Sequence, residues 1–138
     1  MILLLEDDAD RLRRFNRALR REAPGEAVVT WRDARRMARE VEPYLPETRL
    51  ISLDHDLEPE SAAAPDPGDG MDAVRALVKF PQPCPTLIHS SNGTRSDWMA
   101  GEFELGGWKY RRVAPIGERW IEEYWRSVVR ELLAGPDA

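Results

Sequence analysis

The sequence contains a single cysteine, Cys84, so no intrachain disulfide can form and nothing calls for an oxidising compartment. It lacks any apolar run approaching the roughly 20 residues of a membrane span. Its start, Met1-Ile2-Leu3-Leu4-Leu5, runs at once into Glu6-Asp7-Asp8. A secretory leader needs a basic start and a longer apolar stretch, so a cytoplasmic protein is expected. There is no excess of positive charge. A net charge of −5 gives little non-specific attraction to a nucleic-acid backbone. That argues against double-stranded DNA as a partner and leaves a short phosphorylated end open. No internal repeat and no linker interrupts the chain, so residues 1–138 are expected to form one domain.

What is present is a regular alternation. Ile2–Leu5 and Leu50–Leu53 are short, nearly continuous apolar runs, as strands buried on both faces require. Ala27–Trp31, Thr86–Ile88 and Trp108–Val113 read as three further strands. Between them lie helical patterns. Leu12, Phe15 and Leu19 recur at helical spacing, with Asp8 or Asp10 as cap. Ala34, Met37, Ala38, Val41 and Leu45 continue to Pro46. Gly70 to Lys79, Thr94 to Leu105 and Glu118 to Leu133 complete the set, the last burying Ile121, Tyr124, Trp125, Val128 and Leu132. Residues 58–70, rich in Pro, Ala, Gly and Asp, read as a mobile loop. Alternating strands and helices imply an α/β fold, a doubly wound, flavodoxin-like five-stranded parallel sheet with strand order 2-1-3-4-5.

In such sheets the ligand site lies beyond the carboxyl ends of the strands. The residues there are Glu6, Asp7 and Asp8, then Asp54, His55 and Asp56, then His89, Ser90, Ser91 and Asn92, with Arg112 near the last strand end. Asp7, Asp8 and Asp54 are expected to converge. Close carboxylates repel one another unless a cation lies between them, and oxygen ligands favour Mg²⁺, with Mn²⁺ a second option. The chain has two histidines, and both fall at strand ends that this topology places side by side. A neutral imidazole can accept a proton from water or donate one to a leaving alcohol. Ser90, Ser91, Asn92 and Arg112 are candidates to hold a phosphate. Helix capping is the plainer use of the serines and asparagine, and a solvated surface that of the arginines on the first two helices.

Glu6-Asp7-Asp8 after the first strand and Asp54 after the third resemble the receiver domains of two-component signalling. In those, the first acids hold Mg²⁺ and the aspartate after the third strand accepts a phosphoryl group. The usual hydroxyl residue after the fourth strand is here His89. The usual Lys-Pro after the fifth reads Ala114-Pro115, with Arg112 the candidate substitute. These departures, together with Leu53-Asp54-His55-Asp56-Leu57, Gly68-Asp69-Gly70-Met71-Asp72, Ile88-His89-Ser90-Ser91-Asn92 and Arg112-Val113-Ala114-Pro115-Ile116-Gly117, are similar to the cyclic-phosphate processing receiver-like domains. That resemblance implies a metal-assisted phosphodiesterase acting on cyclic phosphate ends of RNA or on nucleotides. His89, His55 and Asp54 would be its catalytic candidates. The competing reading is a phospho-accepting or degenerate receiver that signals through other proteins.

Overall fold

A computed structural model of the chain describes residues 1–59, 61–90 and 93–135. Five strands, β1 (Ile2–Leu5), β2 (Val28–Trp31), β3 (Leu50–Leu53), β4 (Thr86–Ile88) and β5 (Arg111–Arg112), form one parallel sheet in the order β2-β1-β3-β4-β5. The helices are α1 (Ala9–Glu22), α2 (Ala34–Glu40), α3 (Gly70–Leu77), α4 (Gly93–Leu105) and α5 (Arg126–Ala134). Among the described residues no helix is long and apolar enough to cross a membrane.

Strand alternation divides the core in two. Leu3, Leu5, Ile51, Leu53 and Ile88 face α2, α3 and α4. Ile2, Leu4, Leu50 and Leu87 face α1 and α5, where Phe15, Trp120, Ile121, Trp125 and Val129 pack. The register then sets the site. Leu5 lies opposite Leu53, and Leu53 opposite Ile88, so Glu6, Asp54 and His89 leave the sheet at one level. The ladder runs one residue further, with Asp54 N–H donating to Leu5 O (3.0 Å) and His89 N–H to Leu53 O (2.9 Å).

Several elements differ from the sequence expectation, each for a local reason. The second helix stops at Glu40 and is followed by a 3₁₀ segment, Glu42–Glu47, because Pro43 cannot donate to the ladder and disfavours a helical residue before it. β5 is two residues long. The Gln82 side chain takes both the N–H and the carbonyl of Lys109 at 2.8 Å, and the Trp108 indole binds Phe80 O, so Trp108 and Lys109 are held there instead of by β4. The final helix opens with a π-helical stretch, Ile121–Trp125. Ile121, Trp125 and Val129 point inward, and Tyr124, expected in the core, is 55% exposed. Glu58 and Pro67, in the segment between β3 and α3, are each tied to a neighbouring element. Glu58 N–H donates to Asp7 Oδ2 at 2.5 Å. Buried Pro67 accepts from Ala34 N (2.8 Å) and Arg35 N (3.2 Å) at the start of α2.

Candidate metal centre and its histidines

Glu6, Asp7 and Asp54 each offer a carboxylate oxygen within 4.8 Å of the other two. Glu6 is fully buried and Asp54 nearly so. Both Asp7 N–H and Asp8 N–H donate to Glu6 Oε2, at 3.0 and 3.2 Å, which fixes the carboxylate and leaves Oε1 with no hydrogen-bond partner. Asp8 does not join this group. Its side chain is the N-cap of α1, accepting from Arg11 N at 2.8 Å, and it is exposed. The three converging carboxylates are therefore Glu6, Asp7 and Asp54 rather than Asp7, Asp8 and Asp54. Strand alternation is the reason. It turns Glu6 and Asp54 to the same face, and the chain has already begun its helical turn by Asp8.

Asp54 is raised to about 7, chiefly by burial with Glu6 adding to it, while His89 opposes the shift. Burial also raises Asp7, against the bond from Glu58 N–H. Glu6 goes the other way. Burial pushes it up, but His89, the Asp8 N–H and Arg11 together outweigh that and lower it. Arg11 Nη1 is 3.6 Å from Glu6 Oε1 and its guanidinium lies over the Trp120 ring. The donor set is oxygen-only, closely spaced and carries an unpartnered buried oxygen, which fits a small hard cation.

The two histidines lie on opposite faces of the sheet, although their strands are neighbours. His89 points toward α1 and α5, its ring 4.8 Å from that of Phe15. Trp125 Nε1–H donates to Ser52 Oγ (3.0 Å), and Ser52 Oγ lies 2.6 Å from His89 Nδ1. An indole only donates, so the serine hydrogen is free to point at Nδ1, and the other ring nitrogen, Nε2, faces Glu6. That nitrogen is 3.3 Å from Glu6 Oε1. His55 points toward α3. Its Nδ1 is 2.6 Å from Asp56 Oδ1, which as a carboxylate accepts the Nδ1–H. His55 Nε2 is buried without a hydrogen-bond partner, 3.6 Å from Asp69 Oδ2. Asp56 itself is exposed.

Among the expected phosphate ligands, Ser90 and Arg112 line one hollow of about 230 Å³ between the start of α4 and the loop after β5. Arg112 is committed to Asp97 at 2.6 Å and reaches Gly93 O at 3.5 Å. Ser91 and Asn92 lie outside the described residues. Ser52, Trp125, Arg11 and Asp69 were not singled out from sequence. Ser52 did carry a signal, as the one polar residue in the buried run Leu50-Ile51-Ser52-Leu53.

Residues 1–104 match the family described as the cyclic-phosphate processing receiver domain, and the chain belongs to that family. No curated protein matches the sequence. Solved structures share the receiver fold. CheY from the CheX–CheY–BeF₃–Mg complex of Borrelia burgdorferi is 13% identical with a TM-score of 0.64, covering 92% of this chain and 85% of that one. The response regulator domain of Thermotoga maritima CheB is 13% identical with a TM-score of 0.63, covering 96% and 95%. The Mn²⁺-bound response regulator Rcp1 is 16% identical with a TM-score of 0.59, covering 97% and 91%.

Proposed function

We propose that this receiver domain is a divalent-cation-assisted phosphoesterase that opens cyclic phosphates at RNA ends or on nucleotides. The observation that carries the reading is His89 held between Ser52 and the Glu6–Asp7–Asp54 group, where an ordinary receiver keeps a small hydroxyl residue. A second observation supports it. The chain has two lysines. Lys109 is bound to Gln82 near the start of β4, and Lys79 follows α3, so neither is at the strand ends where the acids lie. The parts of a phosphorylation switch are replaced.

Glu6, Asp7 and Asp54 would hold Mg²⁺ or Mn²⁺, the metal borne by the Rcp1 structure. A cation there supplies charge to polarise the phosphate and acidify water. In ring opening, water attacks phosphorus, one ring P–O bond breaks, and a proton goes to the departing sugar oxygen, leaving a monoester. His55 is the group we assign to move that proton, because Asp56 fixes its Nδ1–H and its Nε2 has no competing bond. His89, engaged with Ser52 at Nδ1 and facing Glu6 at Nε2, serves to position Glu6. Ser90 and Arg112 are the described side chains closest in kind to a phosphate clamp.

The test is incubation of the purified protein with 2′,3′-cyclic nucleotides, with and without Mg²⁺ or Mn²⁺, following the monophosphate by chromatography. Metal-dependent opening that Asp54→Asn abolishes and His55→Gln slows about a hundredfold or more is expected. No opening, together with stoichiometric phosphorylation of Asp54 by a small phosphodonor, establishes the signalling reading instead.

A further inference from the structure

The α1 helix carries six arginines, Arg11, Arg13, Arg14, Arg17, Arg20 and Arg21, against Asp10 and Glu22, in a chain whose net charge is −5. Arg13, Arg14, Arg17 and Arg21, with Arg119 and Arg126 from the segment packed beside α1, line a groove of about 550 Å³. Three acids, Asp10, Glu118 and Glu122, share the lining with the six arginines, and two of them are engaged. Glu122 binds Arg14 at 2.8 Å, and Asp10 lies 3.4 Å from Arg13 and 3.7 Å from Arg14. Arg119 reaches Glu123, and Arg126 reaches Glu22. Among the described residues Arg17 and Arg21 have no ion pair. The nearest acid in sequence to Arg21 is Glu22, which is taken by Arg126 and Arg130. Arg13, Arg17 and Arg21 recur every four residues, so like charges stack along one face and destabilise it until an anion arrives.

We infer that this groove binds the phosphodiester backbone of single-stranded RNA, and so presents the strand's end to the acids at the start of α1. This rests on the reading of the site as a cyclic-phosphate processor. The groove's described lining is arginine-rich with only Ala18 as an apolar side chain. Protein interfaces are anchored by apolar and aromatic cores, whereas repeated guanidinium groups match a repeating anion. Position also favours RNA. The groove starts at Asp10, three residues after Asp7, and follows α1 for about 16 Å to Arg21. Arg11, one residue further, touches Glu6 itself.

The experiment is fluorescence anisotropy of a labelled, single-stranded oligouridylate between about 50 and 200 mM KCl, with folding checked by circular dichroism. The parent should lose affinity steeply with salt. Arg17→Ala/Arg21→Ala should weaken binding and reduce the log–log salt slope by roughly 1.4, about 0.7 per lost phosphate contact. Arg17→Lys/Arg21→Lys should restore most of the slope. Arg39→Ala, an exposed arginine on α2 across the sheet, should leave it unchanged. A slope that does not differ between the parent and the alanine double variant overturns the inference. So does displacement of the RNA by poly-glutamate at equal charge, which would assign the groove to acidic proteins. The two readings fail separately. Opening of cyclic mononucleotides by a protein whose alanine double variant binds RNA like the parent overturns the groove alone. Salt-dependent RNA binding through Arg17 and Arg21 without any ring opening overturns the phosphoesterase alone.

Discussion

His89 Nε2 lies 3.3 Å from Glu6 Oε1, with both side chains fully buried. The two atoms are at ion-pair distance without hydrogen-bond alignment, and neither has a hydrogen-bond partner among the described residues, with Arg11 Nη1 3.6 Å from the same Glu6 oxygen. A buried carboxylate oxygen left in this state is costly, and a cation is the group that satisfies it without breaking an existing bond. His89 then acts as an outer support that orients a metal ligand. Such supports are worth about 10- to 100-fold in metal affinity. His89→Gln should therefore weaken Mn²⁺ binding by about tenfold or more, measured by calorimetry, with the fold intact. Any ring-opening activity should recover at saturating metal. A rate that stays low at saturating metal would assign the proton transfer to His89 rather than His55.

Asp8 and Glu6 should separate cleanly. Asp8 caps α1, so Asp8→Ala should cost about 1 kcal/mol of stability while leaving metal affinity within a few-fold. Glu6→Gln removes a ligand charge and should abolish metal-dependent stabilisation. For the parent, metal at about 100 times its dissociation constant should add roughly 2.7 kcal/mol. Melting curves of the two variants with and without Mg²⁺ decide the matter. A cap variant that loses the metal response would return Asp8 to the ligand set.

The pH dependence of the metal-free protein follows from Asp54. Its folded value, about 7, lies above the unfolded value of about 4, so the folded state holds a proton that the unfolded state has released between those limits. Stability must then fall as pH rises through that window, the reverse of a paired aspartate. Asp7 is raised as well and adds with the same sign. Glu6 is lowered, and its contribution is lost only on acidification below the ordinary carboxyl range. In chelator, the melting temperature should drop between about pH 4 and pH 7. Asp54→Asn should flatten the drop, and Mg²⁺ should reverse it at the alkaline end. A melting temperature that rises over this window would exclude a protonated Asp54.

The sheet and its order were legible because Ile2–Leu5 and, but for Ser52, Leu50–Leu53 are apolar runs of the kind a doubly covered parallel sheet buries. The acids beyond their ends followed from the same rule. The sides of the sheet were also available in the sequence, through the period of two, but were not drawn out. Counting alternately from Leu4, Ser52 and Leu87 gives Glu6, Asp54 and His89 on the α1–α5 face and His55 on the other. What no sequence pattern carries is the Gln82 side chain that replaces β4 as the partner of Lys109. The same holds for the π-helical turn that exposes Tyr124. Both are tertiary contacts that override local propensity.

Gly70 offers a test of how tightly α3 is seated on the site. Its N–H donates to His55 O at 2.9 Å, and the Asp69–Asp72 capping box holds the helix start in place. A Cβ there would stand 2.5 Å from Asp54 O and 2.8 Å from both His55 Cα and Met99 Cε. Gly70 is not among the glycines with positive φ, so the demand for glycine is steric and not conformational. The two nearest atoms are backbone and cannot turn aside as a side chain can. Gly70→Ala should therefore cost about 1–3 kcal/mol by urea unfolding, as overpacking does. Because α3 must retreat from Asp54 and His55, the variant should also bind Mn²⁺ more weakly than the parent. Adding Met99→Ala removes the third contact but neither backbone clash, so the double variant should stay destabilised. If it regains parent stability and metal affinity, the methionine alone set the limit, and α3 is not what fixes Asp54.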